Sequence, residues 1–345
     1  MKRALLFLLA AATLAAAAVG ALVWRQVSVF RETPYGSLEE KVIVVPQGAS
    51  ARAVVRLLAR GGALSDERVA SRYVRWLQRD PRPLRAGEYA FTGPLRPDEV
   101  LERIHKGEVR LHRFTVPEGL RADEIADIVG ASGLAAEADF AAAIRDPALA
   151  RSLGLPFASL EGFLYPDTYS FPRGVSARAI AEAMVARFKE EFAKANALRA
   201  PGVVLTMGEV ATLASIVEKE TGRPEERTRI ACVFHNRLRL GMRLQTDPTV
   251  MYATMLRTGR WSRNISRADL LTPHPYNTYA VGGLPPGPIA NAGAAALRAT
   301  LAPASCNDLY FVSRNDGTHV FCPDLRCHNA AVQQWQVEYF RRAHR

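Results

Sequence analysis

The sequence lacks the short motifs that identify several large enzyme classes. Its seven histidines form no HExxH pair, and there is no GxxxxGKS/T loop and no GxSxG elbow. None of its four cysteines stands in a CxxC pair, and His319 and His328, which lie close to Cys322 and Cys327, match no standard zinc spacing. We therefore expect no metal ion and no nucleotide cofactor, and we do not expect serine catalysis.

Clusters of basic residues are also missing, although the chain is basic overall. It has 345 residues, with 45 Lys and Arg against 34 Asp and Glu, and a net charge of +11. The basic residues are scattered, and no zinc-finger, bZIP or RNA-recognition motif accompanies them, so we expect no nucleic acid partner. The hydrophobic fraction of 48% supports a sizeable core, and the length allows two or three domains.

Only one long apolar stretch is present, and it lies at the N-terminus. Residues 4–24 carry no charge, and a helix of roughly 20 apolar residues crosses a bilayer. Because Lys2 and Arg3 tend to stay in the cytoplasm, we expect residues 1–3 to form a cytoplasmic tail and residues 4–24 a single-pass anchor in the inner (cytoplasmic) membrane. The rest of the chain is then extracytoplasmic, or periplasmic. A cleaved signal peptide is the competing interpretation, because "AAAAVGA" offers small-residue cleavage sites.

An extracytoplasmic location permits disulfide bonds. Cys322 and Cys327 flank the short stretch "CPDLRC" and would be able to pair there. Cys232 lies in an apolar helical run, where a free, half-buried thiol is an equally good interpretation.

A short internal sequence repeat follows the apolar run. Val45–Leu64 and Val116–Ala135 each contain a strand, a V-P-x-G turn and an amphipathic helix that ends at glycine, and Ser50 is a candidate cap of the first helix. Such units indicate an α+β fold and are similar to LysM-type carbohydrate-binding modules. We assign residues 40–135 to this LysM-like region, with glycan binding and a purely structural role both open.

The remaining residues, 136–345, are predicted to form a mixed α/β catalytic domain. Asp247 and Pro248 fit the N-cap and first position of a helix. Two strands near the C-terminus are predicted to form a hairpin around residues 315–317, and a last helix is expected from about Ala330 to Arg342.

One helix of this domain, "ASIVEKETG", carries two glutamates two residues apart. At 3.6 residues per turn, Glu218 and Glu220 lie on opposite flanks of its apolar face. Small side chains surround Glu218, whereas Leu213 and Ile216 crowd Glu220. Small neighbours leave room for a substrate and still shield a carboxyl from water, which raises its pKa as a general acid requires. This pattern favours Glu218, and the alternative is two solvated surface glutamates.

Several side chains with stacking faces or paired donors and acceptors lie in loops and are candidates for binding sugar. One comes from the loop before Asp247, three come from the proline-rich loop "PYNTYAVGGLPPGPIANAG", and one comes from "EGFLYPDTY". They are Gln245, Tyr276, Asn277, Tyr279 and Glu161. Asp167, in the same stretch as Glu161, is better explained as a turn residue.

Five stretches occur together and in order: "EGFLYPDTYSF", "ASIVEKET", "NRLRLGMRLQTDPTVMYA", "YNTYAVGGLPPGPIAN" and "NDLYFVSRNDGTHVF". With them the chain resembles the endolytic murein transglycosylases of the MltG (YceG-like) family over about three quarters of its length. Ala292, where the family commonly has proline, is a small departure. The resemblance implies a lyase that cuts MurNAc-(β1,4)-GlcNAc bonds inside nascent peptidoglycan strands, leaves 1,6-anhydro-MurNAc ends and uses Glu218 as its acid/base. It also implies a role in terminating glycan elongation beside penicillin-binding proteins and the elongation machinery.

The single carboxylate agrees with this chemistry. Ordinary glycosidases use two carboxylates, one of which activates water or attacks the sugar. A lytic transglycosylase uses the C6 hydroxyl of the sugar itself as nucleophile, so one carboxyl can first donate and then accept a proton. Two alternatives stay open: a hydrolase (muramidase) that pairs Glu218 with Glu161 or Asp247, and a non-catalytic scaffold that binds cell-wall glycan.

Overall fold

The structure, a computed structural model, describes residues 2–77, 82–220, 222–262, 264–339 and 341. The chain divides into two compact units. The N-terminal unit contains residues 1–112 and 171–173, and the C-terminal unit contains residues 113–170 and 174–345. The boundary expected after residue 135 therefore differs from the observed division, which places the second V-P-x-G turn in the C-terminal unit.

The N-terminal unit begins with one long apolar helix, α1 (Lys2–Glu32). The section Leu6–Glu32 has a mean hydropathy of 2.4 and is long and apolar enough to cross a membrane. Within the predicted cytoplasmic tail, Met1 lies outside the described residues.

A small α+β assembly follows α1. It consists of β1 (Lys41–Val45), α2 (Ala51–Arg60), α3 (Glu67–Leu77), β2 (Gly87–Phe91) and α4 (Pro97–Lys106). The two strands pair antiparallel with Ile43 opposite Tyr89. The side chain of Ser50 accepts a hydrogen bond from the backbone N–H of Ala53, so the predicted cap of α2 is confirmed. The strand-turn-helix order is as expected, while the likeness to LysM modules stays a prediction.

The C-terminal unit is mostly helical with short strand pairs. Its first half contains β3 (Leu111–Thr115), α5 (Ala122–Ala131), α6 (Glu137–Ile144), α7 (Pro147–Ser152), β4 (Thr168–Pro172), α8 (Ala177–Asn196) and α9 (Met207–Glu220). Its second half contains α10 (Arg227–Arg239), α11 (Asp247–Thr258), α12 (Arg267–Leu271), α13 (Ala294–Leu301), β5 (Tyr310–Ser313), β6 (His319–Cys322) and α14 (Leu325–Val332). Strands β3 and β4 pair with each other, and the division between the units falls within them.

The predicted C-terminal hairpin is confirmed, because β5 and β6 pair antiparallel with Val312 opposite Val320. The last helix begins earlier than predicted. The side chain of Asp324 accepts a hydrogen bond from the backbone N–H of Cys327 at 2.8 Å and so caps α14 ahead of Leu325. The predicted end of this helix, Arg342, lies outside the described residues.

Helix α9 lies in the centre of the C-terminal unit. Its residues from Val210 to Val217 are all buried, so this stretch of the helix is enclosed by protein around its whole circumference. Fully burying a side chain such as Leu213 contributes about 2 kcal/mol to folding. This packing fixes the direction in which Glu218 and Glu220 leave the helix.

All four cysteines are paired. Cys322 and Cys327, whose pairing the sequence left open, form a disulfide bond between β6 and α14. Cys232 is bonded to Cys306, which is 74 residues away, so its interpretation as a free thiol is wrong. Because that partner is distant in sequence, no local spacing announces the bond. It joins α10 to the segment that leads into β5.

Candidate active site

The carboxyl of Glu220 lies beside the loop that precedes α11. The hydroxyl of Thr246 donates a hydrogen bond to Glu220 Oε1. Burial and, to a smaller extent, the negative charge of Asp247 raise the pKa of Glu220 to about 7 against the opposing effects of Thr246 and Arg237. A carboxyl with this pKa is still partly protonated at neutral pH, and the protonated form is the one that a general acid requires.

Glu220 lines a cavity of about 460 Å³. The walls come from two separate stretches of the C-terminal unit, one from α9 to Tyr279 and one from β5 to α14. The first wall contains Glu220, Arg237, Leu244, Gln245, Asp247 and Tyr279, and the second contains Tyr310, Phe311, Ser313, His319, Leu325 and His328. This mixture of aromatic faces with hydroxyl, amide, imidazole and carboxyl groups suits a sugar.

Gln245 occupies this cavity wall with an unusual backbone. Its φ of 49° is in the left-handed region, where non-glycine residues are uncommon. The neighbouring backbone holds it there, because the N–H of Gln245 donates to the carbonyl of Thr278 at 3.2 Å and the N–H of Thr246 donates to Thr278 Oγ1 at 3.0 Å. Such conformations often persist at functional sites.

Tyr279 and Asp247 share the same wall. The hydroxyl of Tyr279 donates to Asp247 Oδ1 at 2.7 Å. The predicted capping role of Asp247 is corrected, since Thr246 occupies the N-cap and Asp247 is the first residue of α11. Freed from capping, the Asp247 carboxylate lies in the cavity as a second acidic group.

His319 stands on the opposite wall and is held by Glu226. Its Nδ1 is 2.6 Å from Glu226 Oε2, and its backbone N–H donates to Glu226 Oε1 at 2.9 Å. The ring of Phe311 meets the imidazole edge-on at 5.4 Å between ring centroids. Sequence analysis considered His319 only as a metal ligand and did not select it for sugar binding. The predicted hairpin was the sequence signal that placed this side chain on a regular strand.

Glu218 leaves α9 on the other side, where it enters a cluster of charged groups. Its Oε1 accepts from Arg227 Nη2 at 3.0 Å, and its Oε2 accepts from the backbone N–H of Gly293 at 3.0 Å. The side chain is 6% exposed, so Glu218 is not the solvated glutamate of the alternative interpretation. Burial and repulsion from Glu218 raise the pKa of Glu118, a carboxyl that sequence reasoning did not single out.

The V-P-x-G turn also packs against this side of α9. A side chain at Gly119 would contact Glu218, and Lys219 donates to the carbonyl of Gly119 at 2.9 Å. The sequence pattern predicts space for a substrate beside Glu218. In the structure, the V-P-x-G turn, Gly293 and Arg227 occupy that space.

Three other predicted binding residues are used inside the fold. Asn277 is buried, and its amide nitrogen donates to the carbonyls of residues 269, 270 and 272. Both oxygens of Glu161 accept from the backbone N–H of Ala122 at the start of α5, and burial raises the pKa of Glu161 to about 7. Tyr276 packs on Tyr252, whose hydroxyl reaches Glu161. None of these three residues is among those that line the Glu220 cavity.

Comparison with known proteins gives a consistent picture. The model of the YceG-like family matches residues 43–334. A Bacillus subtilis (strain 168) protein named endolytic murein transglycosylase is 29% identical over 316 residues, covering 85% of this chain and 84% of the relative. A protein of the same name from Streptococcus pneumoniae (strain D39) is 30% identical over 302 residues, covering 78% of this chain and 53% of the relative.

A solved structure is also similar. The crystal structure of a putative yceG-like protein from Listeria monocytogenes superimposes with a TM-score of 0.57 at 32% identity, covering 85% of this chain and 99% of that protein. Taken with the family match over most of the chain, this likeness shows that the chain belongs to the YceG-like family.

Proposed function

We propose that this protein is an endolytic peptidoglycan lytic transglycosylase, a lyase, in which Glu220 is the acid/base. The observation that carries the proposal is a partly buried carboxyl with a pKa of about 7 in a sugar-sized cavity. The relatives named endolytic murein transglycosylase support the reaction and the peptidoglycan substrate.

The proposed reaction cuts the MurNAc-(β1,4)-GlcNAc bond within a strand. Protonated Glu220 donates to the glycosidic oxygen as the C1–O bond breaks. The ionised carboxylate then takes the proton from the C6 hydroxyl, whose oxygen closes on C1 to give a 1,6-anhydro-MurNAc end. Nearby polar groups such as Gln245 and Tyr279 contact the sugar and stabilise the developing positive charge.

The assignment of Glu218 as acid/base stays a competing prediction. Both of its oxygens are engaged by Arg227 and by the backbone of Gly293, and this interaction secures the loop that carries Gly293. Among the residues that the structure describes, only Thr246 donates a hydrogen bond to the Glu220 carboxyl, which lies in the cavity. We therefore favour Glu220 for the chemistry and Glu218 for holding the fold around it.

A muramidase is the second candidate, and the position of Asp247 is the observation that favours it. Asp247 lines the same cavity as Glu220 and would be able to activate water. The hydroxyl of Tyr279 already donates to this carboxylate, so one of the oxygens that would activate water is engaged. A non-catalytic scaffold requires no proton-carrying carboxyl and is the least favoured.

The anchor belongs to the same proposal. The apolar helix α1 would hold the enzyme in the inner membrane by a single span, with the residues after α1 in the periplasm, and two disulfide bonds suit that oxidising compartment. Tethering raises the effective concentration of the site at newly made strands. Cutting there would terminate glycan elongation, next to penicillin-binding proteins and the elongation machinery.

Mass analysis of products from purified glycan strands tests the proposal. The wild type is expected to release fragments with anhydro ends and no new reducing ends, and Glu220→Gln is expected to release none. New reducing ends would establish the muramidase instead. Full activity in Glu220→Gln combined with loss of activity in Glu218→Gln would assign the acid/base role to Glu218. Full activity in both variants would show that neither carboxyl is the acid/base.

A further inference from the structure

The wall of the cavity opposite Glu220 contains a histidine with its own carboxylate. His319 lines the cavity, and Glu226 lies behind it with both carboxylate oxygens directed at this one residue. The two side chains are 11% and 16% exposed, so water competes little for the contact between them. On the basis of the proposed function of the cavity, we propose that His319 accepts a hydrogen bond from a sugar hydroxyl and that Glu226 positions the His319 ring.

The tautomer of the ring follows from the contact with Glu226. A carboxylate accepts hydrogen bonds and does not donate them, so the nitrogen 2.6 Å from Glu226 Oε2 is the protonated one. In the neutral ring, a proton on Nδ1 leaves Nε2 as an acceptor. Sugar hydroxyls are donors that need such an acceptor once they leave water.

The orientation of the ring is also restricted. The backbone N–H of His319 donates to Glu226 Oε1, so the same carboxylate holds both the main chain and the side chain. The aromatic rings of Phe311 and Phe321 lie at 5.4 and 6.3 Å from the imidazole centroid. A ring held from several directions presents its free nitrogen without a further loss of conformational entropy when the substrate binds.

The C-terminal hairpin therefore serves the reaction as well as the fold. Strand β6 begins at His319 and ends at Cys322, whose disulfide partner Cys327 lies in α14. The bond ties β6 to the helix that carries His328, another residue of the same wall. The hairpin, the disulfide and Glu226 together keep this wall in place opposite the acid.

Kinetics of the full chain on purified glycan strands test the assignment. His319→Phe keeps an aromatic ring and removes the acceptor, and we expect kcat/KM to fall about tenfold, the effect of one lost hydrogen bond. His319→Gln retains an acceptor oxygen near the position of Nε2, so it should recover part of this loss. Glu226→Gln offers an amide donor to Nδ1, which would turn Nε2 into a donor and lower kcat/KM in the same direction.

The matched control is a second close histidine–glutamate contact, in which His112 Nε2 lies 2.9 Å from Glu88 Oε2 in the N-terminal unit. His112→Phe should leave kcat/KM within about twofold of the wild type, a change too small for a lost hydrogen bond. Nitrogen-15 NMR of histidine-labelled protein, with His319→Phe used to assign the signal, provides a readout that a purely structural role would not move. The expected spectrum is that of the Nδ1–H tautomer in the wild type, altered in Glu226→Gln.

The outcomes separate the inference from the proposed function. Wild-type kinetics in His319→Phe, together with an inactive Glu220→Gln, would overturn the role of His319 and leave the reaction intact. An Nε2–H tautomer in the wild type would overturn the role of His319 even if the variants fold poorly. Full activity in Glu220→Gln would instead refute the proposed chemistry of the cavity.

Discussion

Glu218 and Glu220 leave the same turn of α9 in opposite directions and enter environments of different character. On one side, Glu218 meets Arg227, the backbone of Gly293 and the V-P-x-G turn. On the other side, Glu220 meets the hydroxyl of Thr246 and an open cavity. Carboxylates surrounded by fixed donors hold structure together, whereas a carboxyl buried with few donors keeps its proton and can give it away.

The largest test of this comparison is the removal of the proton donor. Glu220→Gln keeps the shape of the side chain, and we expect kcat/KM on glycan strands to fall about 10³-fold, as is typical for the loss of a general acid. Its thermal unfolding midpoint should not fall, because burial disfavours the charge of this carboxyl and the amide that replaces it is neutral. A midpoint that drops as far as that of Glu218→Gln would erase the distinction between the two sides.

The reciprocal change is Glu218→Gln, for which we expect the larger loss of stability. Removing one partner of a largely buried ion pair costs about 3 kcal/mol, and Glu118 nearby would recover part of it by pairing with Arg227. Denaturant unfolding measures this loss, and the double variant Glu118→Gln/Glu218→Gln tests the recovery. A loss in the double variant no larger than in Glu218→Gln alone would contradict the pairing.

The pH dependence of activity follows from the proton on Glu220. Only the protonated form donates, so kcat/KM should fall as the pH rises through about 7, the pKa of Glu220. Asp247→Asn removes a negative charge that raises this pKa, so the falling limb should move to lower pH. Profiles of kcat/KM against pH for both proteins decide this, and a limb that stays in place or moves upward would argue that another group titrates.

The smallest effect is expected at the strained wall residue. Gln245→Gly relieves a left-handed backbone that costs roughly 1 kcal/mol and increases the freedom of the unfolded chain by a similar amount. The unfolding free energy should therefore change little, while kcat/KM falls about tenfold through loss of the amide. Equal losses in stability and activity would indicate that Gln245, like Glu218, mainly stabilises the fold.

Much of the fold was readable because its signals are local. Ser50 as a helix cap and the hairpin around residues 315–317 each depend on a few neighbouring residues, and both predictions are confirmed. The family resemblance, which rests on motifs read in order, is confirmed by the match over residues 43–334. The bond between Cys232 and Cys306 was not readable, because it joins residues 74 positions apart.

The site was only partly readable for the same reason. A helical wheel separates Glu218 from Glu220 but does not show what each one faces, and the deciding neighbours, Thr246 and Gly293, lie far along the chain. Gln245 and Tyr279 were selected as sugar-binding groups and do lie in the cavity. Asn277 has the same chemistry but is buried, and burial depends on the whole fold.

The bond between Cys232 and Cys306 also determines how the protein would respond to a cut in its chain. The segment it encloses includes the exposed stretch from Leu256 to Arg260, where a protease would find accessible backbone. The first wall of the cavity lies largely within that segment, and the second lies beyond it. A molecule cleaved in this exposed stretch would therefore remain a single covalent piece, because the disulfide bond still joins the two fragments that carry the cavity walls.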